Sequence, residues 1–143
     1  MKKLLFVTQG CIQILVGIGA AVSGMLFIIR PSGGLLQAPV EMLAGSPFRD
    51  FLIPGIILFL VNGIGQLLAG VITLRRHRCA AFTGAVSGIG LMIWIFVQVN
   101  MIGGGHILQY SYFFIGVVET SLAFMMCNSS TGSRGNITAS NGG

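Results

Sequence analysis

The stretch FLIPGIILFLVNGIGQLLAGVITL, residues 51–74, contains no charged side chain, and only Asn62, Gln66 and Thr73 interrupt its apolar character with polar groups. About 20 such residues, wound as a helix, cross the ~30 Å hydrocarbon core of a bilayer. The stretch is therefore read as a transmembrane helix. Working outward, three more runs of the same kind cover residues 4–29, 79–102 and 107–127. The chain of 143 residues is 54% hydrophobic and only 8% charged, with a mean hydropathy of +0.90. Soluble domains carry about 25% charge, so composition and pattern agree on an all-α polytopic membrane protein, a four-transmembrane-helix bundle with short loops.

Little else remains. Residues 30–50 form the longest connection, and residues 128–143 have the Ser/Asn/Gly-rich composition of a disordered tail. Lys2 and Lys3 followed by an apolar run ending near Ala21-Val22-Ser23 resemble a cleavable signal peptide. The run continues past that point to Ile29 with no polar break, which favours a retained helix.

Basic residues set the orientation. Lys2, Lys3, Arg75, Arg76, Arg78 and Arg134 fall on one side of a four-span topology, and Arg30 and Arg49 on the other. Both termini are therefore expected in the cytoplasm. This asymmetry accounts for the net charge of +5, so no nucleic-acid partner is implied. The turn containing Arg75, Arg76 and Arg78 would meet anionic headgroups. Cys11, Cys79 and Cys127 map to the cytoplasmic ends, where thiols stay reduced, and no disulfide is expected. His77 and His106 lie at opposite ends of one span, so they share no metal, and no cofactor is expected. The Asn128 and Asn136 sequons face the cytoplasm on this topology and read as chance matches.

Each span carries a stripe of small and polar residues at helical spacing. The first shows Gly10, Gln13, Gly17, Ala20, Ala21 and Gly24. The second shows Asn62, Gln66, Ala69, Gly70 and Thr73; the third Gly84, Ser87 and Gly88, then Trp94 and Gln98; the fourth Tyr112, Gly116, Glu119, Thr120 and Ala123. Where no hydrophobic force drives helices together, small residues let backbones approach. In the loop, Ser46 and Pro47 read as a cap and first position opening the second helix. Residues 39–43 read as a short helix across the outer mouth.

Three stretches carry a resemblance. Arg30-Pro31-Ser32-Gly33-Gly34-Leu35-Leu36, then SPFRDFLIPGIILFLVNGIGQLLAG (residues 46–70) and IWIFVQVNMIGGGHILQYSYFFIG (residues 93–116) resemble an uncharacterised family of small prokaryotic four-span integral membrane proteins. The resemblance implies this topology in a prokaryotic plasma membrane and implies no activity. Where that family has His-Trp-Leu-Gln-Pro, this chain has His106-Ile107-Leu108-Gln109-Tyr110.

Counting at ~1.5 Å per residue puts Asn62, Gln66 and Glu119 about 16 to 22 Å below the external boundary, with Gln13 and Ser87 near the same depth. An ionised Glu119 there would suffer a desolvation penalty of several kcal/mol, and no Lys, Arg or His lies at its depth. It is expected to be uncharged and bonded to the amide of Asn62 or Gln66. A second polar layer gathers at the external mouth. Interfacial anchoring explains such residues; the sharper reading is a pocket in which Asp50, Gln98, His106 and Gln109 orient a polar head while Trp94 and Phe113 hold an apolar part. No nucleophile or metal cluster points to an enzyme. The sequence favours a non-enzymatic binding or accessory protein for membrane lipid, a small amphiphile or a membrane partner, monomeric or homo-oligomeric. A homo-oligomeric proton-coupled transporter using Glu119 is the alternative. Small multidrug transporters match in size and span number, but their essential carboxylate lies in the first helix, where this chain has Gln9 and Gln13.

Overall fold

The computed structural model describes residues 2–36, 39–102 and 107–140, with side chains for all of these except 36, 102 and 130–140. Four helices are long and apolar enough to span a membrane. They are α1 (Lys2–Ile29), α2 (Leu52–Leu74), α3 (Ala80–Ile102) and α4 (Ile107–Ser140). Two short 3-10 turns, Gly34–Leu36 and Val40–Leu43, punctuate the loop between α1 and α2. Large apolar side chains such as Leu15, Phe82, Phe96, Phe114 and Phe124 point outward. In a soluble protein that would be a liability; around this bundle it is the surface that lipid covers.

The bundle is built from two glycine-stitched hairpins. Within α1 and α2, Gly10 faces Gly70 and Gly24 faces Gly55 so closely that a Cβ added to Gly24 would come 2.7 Å from the Phe59 nitrogen and 2.8 Å from the Gly55 oxygen. Within α3 and α4, Gly88 and Gly116 do the same: a Cβ on Gly116 would lie 2.9 Å from the Gly88 oxygen. Backbones this close gain dispersion contacts that bulkier side chains would prevent. The hairpins then meet along α2–α3 and α1–α4, leaving α1–α3 and α2–α4 as the diagonals. The stripe Gln9, Gly10, Gln13, Val16, Gly17, Ala20 and Gly24 is the buried face of α1.

Helix α2 is not uniform. Residues Leu58–Ile64 form a π-helical segment between two α-helical pieces. Its wider turn lies where Gly63 abuts Ala21, 2.9 Å from Cα to an added Cβ, and it carries buried Asn62. Such segments recur at functional sites.

Helix two starts later than Ser46 and Pro47 suggest. The Ser46 hydroxyl donates to the Leu43 carbonyl at 2.8 Å, closing the 3-10 turn, and the helix opens at Leu52. There the Asp50 carboxylate accepts the Leu52 N–H at 3.0 Å, satisfying one orphan donor and complementing the dipole. Pro54 falls in the first turn, where its missing N–H removes nothing. At the other end, the Arg76 N–H bonds to the Thr73 carbonyl and the His77 N–H to the Ile72 carbonyl. This is a Schellman closure, with Arg76 in the left-handed region at φ 53 where glycine is usual.

The fourth helix runs on to Ser140, past Cys127, where composition suggests a disordered tail. Helical hydrogen bonding propagates residue by residue, and no proline stands between Asn128 and Ser140 to stop it.

Candidate functional site

A cavity of about 400 Å³ occupies the half of the bundle next to the 30–50 loop. Every span contributes. Stacked Phe27 and Phe51, their ring centroids 4.7 Å apart, form part of its wall with Met42 of the second 3-10 turn. That turn packs on α3, and its Leu43 is 2% exposed, so this part of the loop lies against the bundle rather than trailing from it. The Phe51 N–H donates to the Pro31 carbonyl at 2.8 Å, fastening the two ends of the loop together.

Helix α3 adds Trp94, Gln98 and Met101 at spacings of four and three, one face of a helix. Helix α4 adds Leu108, Gln109 and Tyr112, and Val16, Leu58 and Asn62 line the cavity deeper in. Asn62 is 2% exposed, and its Nδ2 has no hydrogen-bond partner among the described residues. Polar groups are few and spaced around an apolar surface, which is how small-molecule sites are generally built. None of the described residues that line it is charged.

Of the residues expected at the mouth, Trp94, Gln98 and Gln109 line the cavity. Two other expected residues are not among those that line it. Asp50 is not a lining residue, because its carboxylate is engaged in capping α2. Phe113 is 43% exposed on the outer surface, since Tyr112 takes the inward position and the next helical residue turns about 100° away. His106 lies outside the described residues.

Below the cavity a second polar group lies fully within the bundle. Gln66 Nε2 donates to Glu119 Oε2 at 3.0 Å across the α2–α4 diagonal. Gln9, Gln13, Thr73 and Glu119 are all 0% exposed. Gln9 lies against Gly84, its Nε2 3.0 Å from where a Gly84 Cβ would be. The side chains of Gln9 and Gln13, Gln66 Oε1, Thr73 Oγ1 and Glu119 Oε1 have no hydrogen-bond partner among the described residues. Ser87, expected in this layer, is half-buried and donates to the Thr83 carbonyl of its own helix at 2.7 Å. It contributes nothing across the bundle. Gln9 and Thr73 extend the layer beyond the expected set, and their spacing signals it: Gln9 precedes Gln13 by one turn and Thr73 follows Gln66 by two.

Comparison of the chain with protein-family models, with curated proteins and with solved structures gives no match in any of the three. The fold and the site define a multi-pass helical-bundle membrane protein with a cavity near its loop end and a buried carboxyl–amide cluster beneath it.

Proposed function

We propose that this chain binds a small amphiphile in the cavity without transforming it, as a carrier or accessory protein of a prokaryotic plasma membrane whose termini face the cytoplasm. The observation that carries this reading is the cavity itself: aromatic and aliphatic walls from all four spans, interrupted by the amides of Asn62, Gln98 and Gln109. The measurement is native mass spectrometry of the purified protein, scored for retained lipid. A hydrogen bond contributes a net ~0.5–1.5 kcal/mol, so Gln98→Leu is expected to lower retention about three- to tenfold while the melting temperature stays put. Equal retention in variant and parent would reduce Gln98 to an interfacial anchor.

The orientation is checked separately. In intact cells a thiol reagent that cannot cross the membrane is expected to spare Cys79 and Cys127, and to label a cysteine placed at exposed Ser32. The opposite labelling would turn the cavity toward the cytoplasm.

A second reading, proton-coupled transport, is favoured by one observation. Glu119 lies in the middle of its span, fully buried and bonded to the Gln66 amide, and an intramembrane carboxylate is by default a functional candidate. On that reading the amide of Gln66 would solvate a carboxyl that gains and loses a proton.

A further inference from the structure

A second hollow of about 280 Å³ lies on the outer surface of the bundle, in the seam between α1 and α4. Its lining is Leu15, Val16, Leu108, Ser111, Tyr112 and Ile115. Val16, Leu108 and Tyr112 also line the cavity described above, so the two spaces share a wall. Tyr112 is part of that wall. Its hydroxyl reaches across the seam toward Gly19, where an added Cβ would sit 3.4 Å away. Helix α1 is joined far less extensively to α4 than to its hairpin partner α2, so this seam is the one most easily widened.

The chemistry of the outer hollow is that of lipid. Leu15 is 71% exposed on the apolar belt, and the Ser111 hydroxyl is already turned back to the Ile107 carbonyl at 2.9 Å. What covers this face in a bilayer is acyl chain, because the hollow lies within two membrane-spanning helices. Among the described residues the cavity behind it offers only uncharged hydrogen-bonding groups, and burying a charged head among them would leave that charge unpaired.

We infer that the cavity and the seam form one site for a membrane-resident amphiphile, which slides in sideways past Tyr112, lodges a neutral hydrogen-bonding head in the cavity and leaves its chain in the hollow. This rests on the binding reading above and adds to it the ligand class and the route. A hydroxyl, ester or amide head fits; a phosphate or carboxylate does not.

Trp94 is the single tryptophan of the chain and lines the cavity, so its fluorescence reports what arrives there. The probes are a long-chain monoacylglycerol brominated on its chain near the head, a short bromo-alcohol small enough to need no hollow, and the matching brominated fatty acid at a pH where it is ionised. The protein is the full chain in vesicles. Saturable quenching of Trp94 is expected from the monoacylglycerol and from the alcohol. Ser111→Phe puts its ring in the hollow from a position that does not itself line the cavity, and is expected to weaken the monoacylglycerol response about tenfold while leaving the alcohol response unchanged. Ile115→Phe should act alike.

If the alcohol quenches but both filled variants respond to the monoacylglycerol like the parent, the sideways route is overturned and the cavity reading survives. Equal quenching by the ionised fatty acid overturns the neutral-head assignment. If neither neutral probe quenches saturably, the cavity reading and this inference fall together.

Discussion

Gly88→Ala is expected to destabilise the protein by about 1–3 kcal/mol, the range for overpacking a well-fitted interior, although alanine is the better helix former by roughly 1 kcal/mol. The added methyl would stand 2.5 Å from Thr120 Oγ1, 2.8 Å from the Gly116 oxygen and 2.9 Å from the Thr120 nitrogen. A hydroxyl could swing away, but the Thr120 hydroxyl is held by the Gly116 carbonyl at 2.8 Å, and the other two atoms are backbone. The helices themselves must separate. Gly90, half a turn further along α3, has nothing within 4 Å of an added Cβ, so Gly90→Ala should instead stabilise by about 0.5–1 kcal/mol. Opposite signs at two glycines of one helix, read as melting temperatures in detergent, distinguish close helix approach from general helix propensity. Melting shifts of the same sign would show that α3 and α4 are not held at this distance.

The pair also shows how far sequence reasoning reached. The stripes of small residues correctly placed the protein-facing side of each span, because a 3.6-residue period converts spacing into a face. Span limits followed from hydropathy: residues 51–74 against Leu52–Leu74, and residues 79–102 against Ala80–Ile102. Depth counting brought Gln66 to Glu119, and the bond at 3.0 Å is there. Three features did not follow from the pattern. Asp50 looked like a ligand because composition cannot distinguish a carboxylate facing a pocket from one capping the next helix. Phe113 reads as inward-facing because only one residue of rotation separates it from Tyr112. The π-helical turn at Leu58–Ile64 left no trace, since it follows from how the Gly63 and Ala21 backbones fit together, a property of two helices rather than of one. The loop gave up more: a short turn at residues 39–43 was legible from Pro39, and Val40–Leu43 is that turn.

Glu119→Leu is expected to cost about 1–3 kcal/mol, because it strips Gln66 Nε2 of its acceptor at a site 0% exposed and leaves that donor buried. The bond alone would predict less: interhelical hydrogen bonds in membranes average ~0.6 kcal/mol. The larger figure reflects the orphaned amide rather than the lost contact. Glu119→Gln keeps an uncharged hydrogen-bonding group of similar size that can still accept from Gln66, so its stability should match the parent within about 0.5 kcal/mol. What it cannot do is release a proton, and that separates the two roles for this carboxyl. Chemical unfolding in detergent ranks the three proteins, and proton flux driven by a pH gradient in liposomes provides the second axis. If Glu119 only fastens α2 to α4, the Gln variant is indistinguishable from the parent on both. If the parent carries protons and the Gln variant is folded but silent, fastening is insufficient as an account. The unpartnered oxygens of Gln66 and Glu119 would then be the polar surroundings of a working proton site, and transport would displace simple binding as the function of the bundle.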